Sequence, residues 1–445
     1  MTIARRDIIL WVVLFGGFGI LWGSILEAAA WNGMGDFRAV YSASRTLLHH
    51  RDPYQFAILR NEYAAEGGKM PTTPIDLRVL NEGMLRCVNL PTALFLVLPL
   101  AALPWQAAYL IWMLLIAAFC LIAAFLILRE SLRYASGPPL LLTGILLLDL
   151  GNLLFSGNLA GLVTALCAVA AWLLLNDRQP SVAVVCLAVA LLLKPHDSGF
   201  VWLYFLIAPA PFRKRAVQAL ALAALAGIPA WLWVSSNAPG WAHEMRANLH
   251  ADSAPGGFND PGPSSAGFDH PHEPIDLQAA ISVFRNDPGF YNPLSYLIAA
   301  GLLVLVWVRT ATAGLARKSA WLALGSVSAL TMLPVYHRDY DSRLLLLSVP
   351  ACALVWAGGR GKWLALFLNT LAVGSTAALP FSGLALCVRY LVEHSGVQVG
   401  RVLSDGLAQL APLSMLALSV FYLVRYWRSA PVSTEPGMEA DAVQA

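Results

Sequence analysis

Asp36 stands in Gly35-Asp36-Phe37-Arg38-Ala39-Val40-Tyr41, just past the apolar run Ile8–Ala29, at the point where the chain leaves a first helix. A carboxylate at the mouth of a hydrophobic bundle can take a proton from a hydroxyl while an apolar reactant stays in lipid. Asp36 is therefore the candidate general base, set against the plainer reading of a cap on the helix that follows. Lys194-Pro195-His196 and His337-Arg338-Asp339-Tyr340-Asp341 add cations and imidazoles. Such groups can stabilise a leaving phosphate, which makes Lys194, His196, His337 and Arg338 candidate substrate-binding residues. Their plainer readings are a snorkelling lysine, a solvated histidine and a local ion-pair network.

Asp149 lies inside an apolar run, Leu148-Asp149-Leu150-Gly151-Asn152. A charged acid there costs about 2.5–3.5 kcal/mol on insertion scales, so it must be neutral, paired or beside a wet cavity. It is a candidate intramembrane polar site, and no partner for it is evident in the second half of the chain. Asp269-His270-Pro271-His272-Glu273 has metal-binding residue types, but two histidines flanking a proline lack the scaffold that fixes ligands, and there is no His-Glu-x-x-His. No metal site and no cofactor are assigned, and a metal requirement stays open.

These residues need elements to position them, and the composition says which kind. Of 445 residues, 58% are hydrophobic and 12% charged, with a mean hydropathy of +0.64. The apolar runs are continuous rather than alternating, which predicts an all-α polytopic membrane protein and not a barrel. A formal charge of +3 argues against a nucleic-acid partner. The six cysteines show no ligand spacing and read as packing residues, although Cys87 and Cys387 fall on one side and allow a disulfide. Arg5-Arg6 and the length of Ile8–Ala29 favour a retained helix over a signal peptide.

About twelve spans are expected: Ile8–Ala29, Trp105–Leu128, Pro139–Phe155, Leu159–Leu175, Ser181–Leu193, Gly199–Pro209, Ala216–Ser236, Leu294–Arg309, Ser319–Val335, Leu344–Ala357, Trp363–Pro380 and Gly406–Arg425. Leu90–Leu103 is a re-entrant piece or a further span. Arg129 and Arg133, Arg178, Arg213-Lys214-Arg215, Arg317-Lys318, Arg360 with Lys362, and Arg425 with Arg428 return regularly on the side of Arg5-Arg6. The positive-inside rule puts that side, and both termini, in the cytoplasm. One membrane domain, 1–428, then carries external loops at about 30–104 and 237–293, and 429–445 is a disordered tail. Asp36, Lys194, His337 and the long loop all fall outside. The loop reads as a mobile cover, with Asp276–Arg285 as its ordered, helical part.

Asp36-Phe37-x-x-x-Tyr41, followed by Leu47-Leu48-His49-His50-Arg51-Asp52-Pro53-Tyr54, has the spacing of an interfacial helix ending in a turn. Here the chain resembles glycosyltransferase family 87, membrane-embedded GT-C enzymes that use polyprenyl-phosphate mannose or a related lipid-linked hexose. Gly157-Asn158 before two apolar helices that end in Lys194-Pro195 is similar to that family's Gly-Gln-x-Asn helix pair, without the Gln. The turn at His337–Tyr340 is similar to its late polar turn. The resemblance implies an inverting hexosyltransferase with Asp36 as base, and Tyr41 and Asn158 among the substrate-binding residues. It also implies a polyprenyl-phosphate-linked donor, a glycan or glycolipid acceptor, and a bacterial inner membrane with the site facing the periplasm or exterior. No glycine loop for a nucleotide sugar is present. A secondary transporter and a ligase or polymerase of lipid-linked glycans are the alternatives.

Overall fold

The structure is a computed structural model and describes residues 35–68, 70–262, 274–313, 316–376 and 409–429, with Gly16, Gly17, Gly19 and Gly23. The described residues form helices and no sheet, with one isolated bridge between Pro274 and Arg338. Among the described residues, six helical stretches are long and apolar enough to cross a membrane. They are α5 (Trp105–Ser131), the pair α6 (Gly137–Leu148) and α7 (Leu150–Ser156), α11 (Phe212–Asn237), α14 (Pro288–Ala313), the 3-10 turn Asp339–Leu347 continued by α16 (Ser348–Ala357), and α18 (Leu410–Arg428).

Six such stretches fall short of the twelve expected: Ile8–Ala29 lies, those glycines apart, outside the described residues, and polar breaks shorten other helices. Asp149 divides α6 from α7. Lys194-Pro195 ends α9 (Pro180–Leu193) and starts α10 (Pro195–Ile207), leaving two short helices. Length also matters less for α8 (Leu159–Leu175), whose residues are all buried. A helix enclosed by others need not match the bilayer, and it is apolar all round because it has no solvent face. α15 (Arg317–Thr331) and α17 (Lys362–Ser375) complete the second half, and the rest of the expected Trp363–Pro380 and all of Ile8–Ala29, apart from those glycines, lie outside the described residues. So do Cys387, the Asp269–Glu273 stretch and 430–445.

Three of the basic turns, at Arg129–Arg133, Arg178 and Arg317, meet at one end. Arg317 pairs with the fully buried Glu130 and donates to Asn176 Oδ1 at 2.6 Å, tying the start of α15 to the ends of α5 and α8. Arg133 also reaches Glu130, at 3.4 Å. The opposite ends of α5, α8 and α9 carry Trp105, Asn158 and Lys194. The bundle therefore has a basic end and a site end.

α1 (Gly35–Leu48) corrects one expectation. It does not lie on a surface: Phe37, Val40, Tyr41, Ala43 and Leu47 are all core residues. Phe37 stacks on Trp112 at 4.9 Å and on Trp105 at 5.7 Å, while Arg38 lies 4.3 Å over the Trp105 ring. α2 (Phe56–Ala65) brings Glu62 towards Arg45, and the residue just after it, Glu66, pairs with Arg38 at 3.2 Å. The intervening Asp52-Pro53-Tyr54 is the predicted turn, closed by Tyr54 N–H donating to Asp52 Oδ1 at 2.9 Å. α3 (Pro74–Arg78) and α4 (Pro91–Ala101) lead back to α5.

The long loop is pinned where it is described. α12 (Trp241–Ser253) docks through Asn248, whose amide donates to Tyr54 O at 3.0 Å and Cys87 O at 2.9 Å, and through Asp252, 2.6 Å from Arg86. The expected helix in Asp276–Arg285 is α13 (Leu277–Ser282), capped by Asp276 accepting from Ala279 N–H at 3.0 Å. Ile275 N–H donates to His337 O at 2.9 Å and Leu277 N–H to Leu333 O at 3.0 Å, so the end of the loop is stitched to the late polar turn.

Candidate active site

Four chain segments meet at the site end. The first turn of α1 contributes Asp36 and the α7–α8 turn contributes Asn158. Gly157 ends α7 in a left-handed conformation, φ 66°, that favours glycine. Its carbonyl accepts from Trp112 Nε1 at 2.8 Å, and Trp112 is the ring on which Phe37 stacks. That shared tryptophan sets α1 against the turn. Asn158 then caps α8, its Oδ1 accepting from Ala160 N–H at 2.9 Å, which leaves its Nδ2 to donate to Asp36 Oδ2 at 2.8 Å. Because the cap uses the amide oxygen, the orientation of Asn158 toward Asp36 is determined.

Burial raises the Asp36 carboxyl above its ordinary value, while the Asn158 hydrogen bond and the charges of Arg338 and Lys194 pull the other way. Asp36 is thus a half-buried acid, raised by burial and by Asp341 and steadied by Asn158 and the nearby Arg338 and Lys194 charges, a balance that can tune a carboxylate toward general-base work.

The third and fourth segments are the start of α10 and the turn 335–341. Lys194, at the α9–α10 junction, has its ammonium bound to Asp341 and lies 3.1 Å from Asp197 Oδ2. Burial opposes its charge, but the two carboxylates outweigh that and hold its pKa above the usual lysine value. Asp341 also accepts from the Arg338 backbone N–H at 2.8 Å, which closes the turn around Arg338. The Arg338 guanidinium lies 4.5 Å over Phe258 and donates to Asn259 Oδ1 at 3.2 Å, linking the site to the long loop. His337 is fully buried, with Nδ1 2.7 Å from Val335 O and Nε2 3.2 Å from Asp197 Oδ1. Burial disfavours its charge, and the Asp197 carboxylate more than restores it, leaving the imidazole above its ordinary value. His196 sits at the rim of the group, 42% exposed at its side chain, with Nε2 3.5 Å from Asp197 Oδ1.

Asp36, Asn158, Lys194, His196, His337 and Arg338 are therefore brought together. Two expected residues are not. Tyr41 is buried in the core; its hydroxyl donates to Leu103 O at 2.8 Å and its ring meets Trp105 at 5.2 Å, so its work is packing α1 against the α4–α5 turn. Asp149 pairs with Arg343, buried from the second half of the chain, and Arg343 Nη1 donates to Leu146 O at 3.3 Å. That supplies the partner the sequence did not reveal. Lys194 is also not an open cation, being already held by two carboxylates. Asp197 and Asp341 were missed as members of the site. Asp197 follows His196 and stands three residues from Lys194, a spacing that pairs side chains across one helical turn.

The family model for glycosyltransferase family 87 matches residues 89–334, more than half of the chain. The match spans Asn158, Lys194, His196 and Asp197 and excludes Asp36 and the 335–341 turn, so those two join the site by geometry. No curated protein and no solved structure matches the chain. With a family match of that extent across a helical membrane bundle, the chain belongs to glycosyltransferase family 87 and is, at that level, a glycosyltransferase.

Proposed function

We propose that this glycosyltransferase moves a hexose, mannose in the simplest reading, from a polyprenyl-phosphate donor to a hydroxyl of a glycan or glycolipid on the external face of a bacterial inner membrane. The observation that carries the reading is the Asp36 carboxylate, half-buried, oriented by Asn158 and facing Arg338 and Lys194. The basic turns at the opposite end of the bundle support an external site under the positive-inside rule. A lipid-linked donor suits a site at the mouth of apolar helices.

In this mechanism Asp36 accepts the proton of the acceptor hydroxyl as its oxygen attacks the anomeric carbon. The bond from that carbon to the phosphate oxygen breaks, and the electron pair leaves with polyprenyl phosphate. One base acting opposite the leaving group gives inversion. Arg338 faces the phosphate. Lys194, bound to Asp197 and Asp341, holds the start of α10 against the 335–341 turn that presents Arg338.

The test is Asp36→Asn. Asparagine keeps the size and the bond to Asn158 through its oxygen but cannot take a proton, so labelled donor should still be retained while transfer falls by about 10²–10⁴. Retention of more than about a tenth of wild-type transfer would remove Asp36 from the base role and leave it as a helix-start acid.

A further inference from the structure

The contact between His337 and Asp197 is buried on both sides and is not a hydrogen bond. Nε2 of His337 lies 3.2 Å from Oδ1 of Asp197 without hydrogen-bond alignment, and both side chains are fully buried. The other ring nitrogen, Nδ1, is 2.7 Å from Val335 O, a partner that can only accept. Nδ1 therefore carries the hydrogen, and in the neutral ring Nε2 presents its lone pair to a carboxylate. Two lone pairs facing each other in a buried site need a positive charge between them, and a bound cation can supply it in place of the proton that Asp197 otherwise favours on the ring. His196 completes the arrangement. Its Nε2 is 3.5 Å from the same Oδ1, and its ring meets that of His337 nearly edge-on, at 5.3 Å and 63°.

We propose that His196 Nε2, Asp197 Oδ1 and His337 Nε2 form a binding site for a divalent transition-metal ion of the zinc class. The three donor atoms lie within 4.8 Å of one another. Donors about 2.0–2.1 Å from a four-coordinate ion stand about 3.3–3.4 Å apart, and the two imidazole nitrogens lie 3.2 and 3.5 Å from Asp197 Oδ1, on either side of that distance. Two imidazoles and one carboxylate suit zinc or cobalt better than magnesium or calcium, which take oxygen ligands. The outer contacts are those a metal site uses: Val335 O fixes the His337 tautomer, and Lys194, 3.1 Å from Oδ2, turns Oδ1 of Asp197 toward the two rings. His196, 42% exposed at its side chain, is the member of the cluster that solvent reaches. The site does not depend on the donor or base assigned above, and its metal content is read without turnover.

The experiment uses the full chain without an affinity tag, purified in detergent, stripped with chelator and titrated with Co2+. One equivalent should bind and give the intense visible absorption of a four-coordinate ion, and Zn2+ should displace it. His337→Gln and His196→Gln should each weaken Co2+ at least about 100-fold, exceeding the loss typical of an outer contact. His243→Gln, on exposed α12, should leave the affinity unchanged. Because His337 is buried, His196→Gln, at a half-exposed position, decides the matter if the other variant fails to fold. Binding that His196→Gln leaves unchanged, a weak six-coordinate spectrum, or no uptake by the stripped protein would each overturn the proposal.

Discussion

Asn158 is placed to set the working pH of Asp36, and that role can be separated from its role as a helix cap. Asn158→Ser keeps an oxygen for Ala160 N–H but is too short to reach Asp36, whereas Asn158→Asp keeps the cap and puts a second carboxylate where the amide nitrogen now lies 2.8 Å from Asp36 Oδ2. A hydrogen bond to a charged group contributes about 1.5–3 kcal/mol. Water can replace part of it at a half-buried carboxylate, so the lower figure applies. Its loss therefore raises Asp36 further, since that bond is one of the influences holding its pKa down. The sign follows from the bond favouring the ionised form. A base must be ionised to act, so the acid limb of kcat/KM in Asn158→Ser should move toward higher pH, with the plateau above it nearly preserved. In Asn158→Asp the two acids share a proton and the limb should move further. The assay is transfer of labelled sugar from a polyprenyl-phosphate donor across a pH series, with the wild-type limb itself expected to be raised because burial raises Asp36. Identical acid limbs in all three proteins would refute both the positioning role and the assignment of Asp36 as base.

Other outcomes are equally direct. Arg338→Gln should raise the KM for donor about tenfold or more, the scale of one charge-assisted hydrogen bond, while Arg246→Gln, exposed on α12, should change it less than about twofold; equal effects would move the phosphate elsewhere. Asp149→Leu leaves Arg343 buried without its carboxylate and should cost about 3–5 kcal/mol in unfolding measured in mild detergent, whereas Asp149→Leu with Arg343→Met should recover most of that loss. In a cysteine-free background, Asn61→Cys should react with an impermeant thiol reagent in intact cells, and Ser136→Cys and Arg178→Cys only after permeabilisation; the reverse pattern would invert the topology.

What was legible in the sequence follows a physical division. Continuous apolar runs, basic turns and an Asp-Pro-Tyr turn are local signals, and most of the described helices and the turn at Asp52–Tyr54 stand where those signals put them. The interior placement of α1 was not legible, because its spacing of apolar residues suits an interface as well as a core. Only the stacking of Phe37 between Trp105 and Trp112 decides it. The same limit applies to Asp149, whose partner is 194 residues away, and to Lys194, whose apparent freedom as a helix-end cation is cancelled by Asp341, 147 residues on. Tyr41 matched the family pattern by position while its side chain serves packing. Short spacing carries pairs such as Lys194 and Asp197, and long-range pairing has to be built.

The charges around Asp36 suggest why base and phosphate partner share one field in the proposed reaction. The donor arrives as a phosphodiester with one negative charge and leaves as a monoester carrying about −1.5 to −2. Over the same step Asp36 passes from carboxylate to neutral acid. The summed charge of the site thus changes little, and the negative charge moves from the carboxylate to the leaving phosphate. Arg338 acts on Asp36 in the resting protein, so as Asp36 takes the proton that attraction is released to the phosphate oxygen gaining charge. An interaction that strengthens along the reaction lowers the barrier, and one equal at both ends does not. Lys194 cannot serve in this way while Asp197 and Asp341 neutralise it. Removing the Arg338 charge should therefore lower the rate of the transfer step as well as donor affinity, measured by single turnover at saturating donor, and an effect confined to affinity would mean that Arg338 only holds the donor.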